Sequence, residues 1–197
     1  MKKKDKQLFI LLSLAMGFIV ITSNYLVQFP INYYGLQEIL TYGAFSYPVT
    51  FLITDLANRT CGKSTARKIV YIGFTVGILL TVIVSKNFSD IISIRIAIGS
   101  GAAFLIAQNM DIQIFDKLRK NNLWFVAPLG SSLISSIADT FLFFSISFYK
   151  TGIPWVSLAF GDLAVKFIIS LIMLIPFKIL LSRMKDTSSK EVSYKIK

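Results

Sequence analysis

The sequence predicts an all-α, polytopic membrane protein with six transmembrane helices and both termini in the cytoplasm. Three observations predict it. Apolar residues make up 54% of the chain and charged residues only 16%, with a mean hydropathy of +0.66. That is too apolar for a soluble domain of 197 residues. Nearly uncharged runs recur at about the 20-residue length that a helix needs to cross a bilayer. The basic residues also alternate. Counting Lys and Arg, four precede the first run, four follow the second, three follow the fourth and five follow the sixth. The connections between hold none, then Lys86, then Lys150. Such one-sided basic loops face the cytoplasm. The net charge of +11 is therefore read as membrane topology rather than nucleic-acid binding. At this length one domain, 1–197, is expected.

The chain contains no histidine and a single cysteine, Cys61. This removes His-based metal sites, Ser-His and Cys-His catalysis, and an intrachain disulfide. Cys61 is expected to be an ordinary free thiol.

The first span is 8–27, after the basic start MKKKDKQ. A cleaved leader would have a shorter apolar core followed by a small-residue cleavage site. Here the run is long enough to span and no A-x-A follows, so a retained helix is expected. A loop at 28–40 has Glu38 as its only charge. Tyr33, Tyr34 and Tyr42 suit an interfacial aromatic belt. The second span, 41–57, contains Pro48. Proline removes a backbone donor and clashes with the preceding turn, so a kink or break is expected there. A basic loop, 58–68, carries Arg59, Lys63, Arg67 and Lys68.

The third span, 69–85, has Gly73 and Gly77, a spacing that lets helices approach closely. The fourth, 91–115, holds Arg95, Gln108 and Asp111. The fifth, 124–149, holds Pro128 and Asp139, and the sixth, 156–182, holds Asp162, Lys166, Pro176 and Lys178. Residues 183–197 read as a polar, basic, poorly ordered tail.

Ionisable side chains inside spans are costly and mark functional positions. Span direction places Asp55, Asn58, Arg59, Gln108 and Asp111 toward the cytoplasmic end. Asp55 and Arg59 are four apart and could pair on one helix face. Asp139 lies about 22 Å along the fifth span by helical rise, on the outer side with Arg95, Asp162 and Lys166. Two polar clusters follow, one near each mouth, each with both signs of charge. Ser132, Ser135, Ser136 and Asp139 form one helical stripe, which serves either helix packing or a cavity wall. Asp162 and Lys166 could be a simple intrahelical pair.

Residues 57–64 read ANRTCGKS, near the phosphate-cradling P-loop. That motif needs an initial glycine and a strand–loop–helix context. Alanine and a membrane span stand there instead, so nucleotide hydrolysis is not expected. Some of the 17 Phe and 8 Tyr could stack a flat ligand.

The runs FLITDLANRTCGKSTARK and GSGAAFLIAQNMDIQIFDKLR, with W-x3-P and SSLISSIADTFLFFSISF, strongly resemble the queuosine precursor transporter family, also called the vitamin uptake transporter family. The resemblance covers spans two to six. It implies a six-helix inner-membrane importer of 7-deazaguanine compounds used to make queuosine in tRNA. It also implies that Asp55, Asn58, Arg59, Gln108, Asp111, Ser132 and Asp139 are the family's polar positions. No catalytic residue, metal or cofactor is implied. The expected partners are the small-molecule substrate and the lipid bilayer, with a homo-oligomer or an energising subunit left open. A purine-like base offers edges suited to carboxylate, amide and hydroxyl groups. An alternative is a substrate-binding membrane subunit of a vitamin-type importer that needs a separate ATPase. An intramembrane enzyme using two neighbouring acids is a third reading. Proton coupling through Asp55, Asp111 or Asp139 is a further expectation.

Overall fold

A computed structural model describes residues 3–26, 29, 31–33, 40, 42–84 and 91–193. Every element among them is helical: α1 (Lys3–Leu26), α2 (Gly43–Ser46), α3 (Val49–Cys61), α4 (Lys63–Val84), α5 (Ile91–Leu118), α6 (Val126–Phe148) and α7 (Trp155–Ser193). Three segments are long and apolar enough to cross a membrane by length and composition: Lys6–Leu26, Val126–Phe148 and Trp155–Met184. Most of the loop expected at 28–40, and the turn expected at 86–90, lie outside the described residues.

The second span is two pieces. Helix α2 is a single turn, and α3 restarts at Val49 with Pro48 as its N-cap residue. Proline is tolerated there because the first turn has no intrahelical partner for its missing N–H. The Tyr47 carbonyl at the break accepts from the Thr50 amide at 3.0 Å and the Thr50 hydroxyl at 2.7 Å. Alone, the 13 residues of α3 rise only about 20 Å. Pro128 sits in the first turn of α6, where it is equally harmless. Pro176 lies inside α7, which continues past it.

The basic stretch 58–68 is not a loop. Helix α3 runs to Cys61 and α4 begins at Lys63, with Gly62 alone between them at φ +84° and ψ 165°. Glycine adopts that φ without a steric penalty, so one residue turns the chain. The P-loop look-alike is thus a helix–glycine–helix corner, with no strand before it. The segment expected as a tail also differs, since α7 continues to Ser193.

Helix α5 packs along α6, α1 along α4, and α6 against α7. The α1–α4 contact shows what the glycine spacing does. A Cβ on Gly73 would strike Met16, and one on Gly77 would meet Val20 Cγ1 at 2.5 Å. Met16 and Val20 are buried in the larger apolar core with Ile69 and Val70 of α4 and Phe104 of α5. A smaller core joins Leu56, Phe115, Ala127, Phe177 and Leu181, with Phe115 and Phe177 edge to face at 6.4 Å. Helix α3 lies between these cores, and its polar positions face inward.

Candidate functional site

Helix α3 buries Thr50, Thr54, Asp55 and Asn58. Thr50, Thr54 and Asn58 repeat every four residues, so they share a face, and Asp55 stands beside it. Against this helix, α5 presents Gln108 and Asp111, and α6 presents Ser131 and Ser132, all buried.

Asp55 is 2% exposed. Ser131 donates to its Oδ1 at 3.4 Å and Ser132 to its Oδ2 at 3.5 Å. The Asp111 carboxyl lies directly against that of Asp55. Asp111 is fully buried, and among the described residues neither of its oxygens receives a hydrogen bond of good geometry; the Ser131 hydroxyl beside it is shared with Asp55. This is the inner cluster. It opens onto a cavity of about 10 Å³ lined by Pro48, Leu52, Asp55, Pro128, Ser132, Ser170, Met173, Leu174 and Phe177. That volume admits about one water, whereas small-molecule sites measure about 300–1,000 Å³. At this volume the cavity is too small for an organic molecule.

A ladder of neutral groups ties α3 to α5 beside this cluster. The Thr54 hydroxyl donates to Gln108 Oε1 at 2.5 Å, and Gln108 Nε2 donates to the Thr50 hydroxyl at 2.9 Å. Through Thr50 the ladder reaches the Tyr47 carbonyl at the helix break.

The outer cluster lies on α6 and α7. Lys166 Nζ is 2.6 Å from Asp162 and 2.9 Å from Asp139, and it donates to the Thr140 hydroxyl at 2.9 Å. Thr140 in turn donates to Asp162 at 2.8 Å. All three ammonium protons are used. The Tyr47 ring completes the shell, its centroid 5.7 Å from Lys166 Nζ. Ser131 and Asp139 are eight residues apart on α6, so the two clusters are separated by about 12 Å of helical rise.

The sequence profile described as "Putative vitamin uptake transporter" matches residues 41–181. A "Probable queuosine precursor transporter" of Haemophilus influenzae is 34% identical over 189 residues, covering 81% of this chain and 80% of the relative. The "Queuosine precursor transporter" of Escherichia coli is 32% identical over 200 residues, covering 90% of each. The chain belongs to the queuosine precursor transporter family. A Bacillus subtilis relative named "Probable queuosine precursor transporter" is 28% identical and covers 80% of this chain. No solved structure matches. With its apolar helices, this member of the queuosine precursor transporter family is a multi-pass membrane protein.

The seven polar positions expected in this family member divide by location. Asp55, Asp111 and Ser132 meet at the inner cluster. Gln108 lies beside them in the ladder. Asn58 is buried and donates to the Ile112 carbonyl at 2.9 Å, joining α3 to α5. Arg59 and Asp55 do not pair. Arg59 turns to the Arg119 carbonyl at 3.1 Å, because the end of α5 presents a free carbonyl there. Asp139 belongs to the outer cluster.

Two other expectations are corrected. The inner cluster has no cation in ion-pair contact among the described residues. Arg95 is absent from the outer cluster: it donates to the Ile146 and Tyr149 carbonyls at 3.0 and 2.8 Å, capping the end of α6. The Asp162–Lys166 pair forms, but as part of a triad with Asp139. Sequence reading missed Ser131, Thr50, Thr54, Thr140, Tyr47 and Phe177. The i, i+4 repeat of Thr50, Thr54 and Asn58 could have found three inward positions on α3.

Proposed function

We propose that this protein imports 7-deazaguanine precursors of queuosine across the bacterial inner membrane. The observation that carries the reading is Asp55: a buried carboxyl on the wall of a small cavity, bound by two long serine bonds, in a chain of this family. The amide N–H and exocyclic amine on one edge of a guanine-like base are adjacent donors, and a carboxylate accepts both through its two oxygens. Ser132 supplies a hydroxyl beside Asp55, and Phe177 supplies an apolar face against which a planar ring can lie. The break at Tyr47–Pro48 borders the cavity, as discontinuous helices border substrate sites in other transporters.

The full topology under this reading is six crossings with both termini in the cytoplasm, supported by the one-sided distribution of Lys and Arg. A fluorescent protein fused to the C-terminus should fold and glow only if that end is cytoplasmic. A dark but membrane-inserted fusion would overturn the orientation.

The decisive experiment uses a bacterium that can neither make queuosine precursors nor import them. The strain must carry the downstream enzymes for each compound supplied. Expression of this chain, with each 7-deazaguanine fed at low concentration, should restore queuosine in tRNA. Protein present in the membrane without restoration would defeat the reading and favour a subunit that needs a separate ATPase.

A further inference from the structure

The inner cluster brings two carboxyl groups together with no cation in ion-pair contact among the described residues. Asp55 and Asp111 are in contact and buried, and the one donor beside Asp111 among the described residues, the Ser131 hydroxyl, is shared with Asp55. Among the described residues no charged group on the neighbouring helices forms an ion pair with either acid. On α3, Arg59 serves the Arg119 carbonyl. On α4, Lys63 lies 4.0 Å from Asp116, and Arg67 makes no ion pair with either acid among the described residues. On α5, Arg119 pairs with Asp116 at 3.4 Å. On α6 and α7, Asp139 and Asp162 share Lys166, and Lys178 stands over the Trp124 ring. Tyr47, at the break before α3, faces Lys166. Two ionised carboxylates in contact, out of water and without a cation, are among the costliest arrangements a membrane interior can hold.

We propose that Asp55 and Asp111 share one exchangeable proton, and that this proton crosses the membrane together with the substrate. The inference rests on the importer reading above and adds its energy source. The two acids have different positions. Asp55 lines the cavity and Asp111 stands behind it. When the donors of a planar base reach Asp55, the negative charge rests on Asp55 and the proton on Asp111. The Asp111 O–H then donates to Asp55, so the pair carries one negative charge and one hydrogen bond. An O–H bond to a carboxylate oxygen is the only bond made or broken. The proton leaves water on the outer side, is carried as the acid, and returns to water when the site opens inward. Without the proton, the loaded site holds two negative charges and closes poorly, which links the two movements.

The same oxygens could hold a sodium ion, or the ammonium of an amine-bearing substrate. The test separates these by using radiolabelled 7-deazaguanine itself, which is neutral, with the full-length protein in liposomes. Exchange of labelled for unlabelled compound at equal pH tests importer activity alone. Uptake is then measured with the outside acidic, the membrane potential clamped, and sodium replaced by potassium. One proton per substrate predicts accumulation of up to about tenfold per pH unit. Protonophore should abolish it, and a pH dye trapped inside should report acidification when substrate is added. In Asp111→Asn the ratio of uptake with and without the gradient should fall to one, while Asp111→Glu should keep a response.

Working exchange without a gradient response would overturn the coupling and leave the importer reading intact. So would accumulation driven by sodium, or an Asp111→Asn variant that still follows the gradient. Should that variant not fold, the wild-type measurements decide alone. Absence of exchange in the wild type would remove the importer reading and the coupling with it.

Discussion

The inner and outer clusters contain the same acidic residue type on neighbouring stretches of one helix bundle, yet they are built oppositely. The outer pair, Asp139 and Asp162, encloses Lys166, whose ammonium protons are all used. The inner pair, Asp55 and Asp111, touches with no cation in ion-pair contact among the described residues, and Asp55 borders a cavity. A closed ion triad resists change, because every partner leaves another charge exposed when it goes. A pair of acids in contact without a counter-charge has, under the proposed function, room for a donor or a proton. The difference teaches that an intramembrane acid is informative about function only once its partner is known.

The largest effect should come from Lys166→Met. Removing one partner of a buried ion pair costs about 3–5 kcal/mol, a large part of a typical folding stability of about 5–15 kcal/mol. The variant should accumulate poorly and unfold well below the wild type when heated in detergent. Adding Asp139→Asn should recover part of the loss. A heat-stable single variant would end the claim that the outer cluster is structural.

Asp55→Asn is the contrasting change. No cation is orphaned, so stability should stay within about 1 kcal/mol. Uptake should drop by at least about tenfold, equivalent to about 1.4 kcal/mol of lost interaction. Normal uptake in this variant would remove Asp55 from the substrate site.

Gln108→Leu tests the ladder beside the inner cluster. It removes both bonds of the ladder and leaves the Thr50 and Thr54 hydroxyls only their backbone carbonyls, at about 1–2 kcal/mol. A measurable fall in melting temperature with partial loss of uptake is expected. An unchanged melting curve would show that the backbone carbonyls satisfy the threonines and that the ladder does not hold α3 to α5.

Arg59→Gln should do least. Its guanidinium serves a backbone carbonyl rather than Asp55, so a loss of about 0.5–1 kcal/mol and near-normal uptake are expected. A tenfold uptake defect would mean that Arg59 reaches the acids in another conformation and that the inner cluster has a cation after all.

Much of the fold could be read from the chain. The apolar runs, the break at Pro48 and the close approach permitted by Gly73 and Gly77 follow from local rules of length, backbone donors and side-chain size. The basic stretch was misread as a loop because charge and a lone glycine resemble a connection. Helix pairs that share one positive-φ residue leave no composition signature beyond that glycine. In the candidate site, Asp55, Asp111 and Ser132 were recognisable as polar groups in apolar surroundings. Ser131 and the two threonines were not, because a hydroxyl in a span is ordinary until something buried reaches it.

Sequence alone determined that this protein lives in a membrane and which positions are polar within its apolar helices. These depend on transfer free energies that each residue carries with it. Only the tertiary structure decided the partnerships. Helical spacing relates residues three or four apart on one helix, so it could offer Arg59 to Asp55 and Asp162 to Lys166. Gln108 and Thr54 are 54 residues apart, and Ser131 and Asp55 are 76 apart. Whether such groups meet is set by how helices pack. Packing gave Lys166 to Asp139, turned Arg59 away from Asp55, and left two acids facing each other at the cavity.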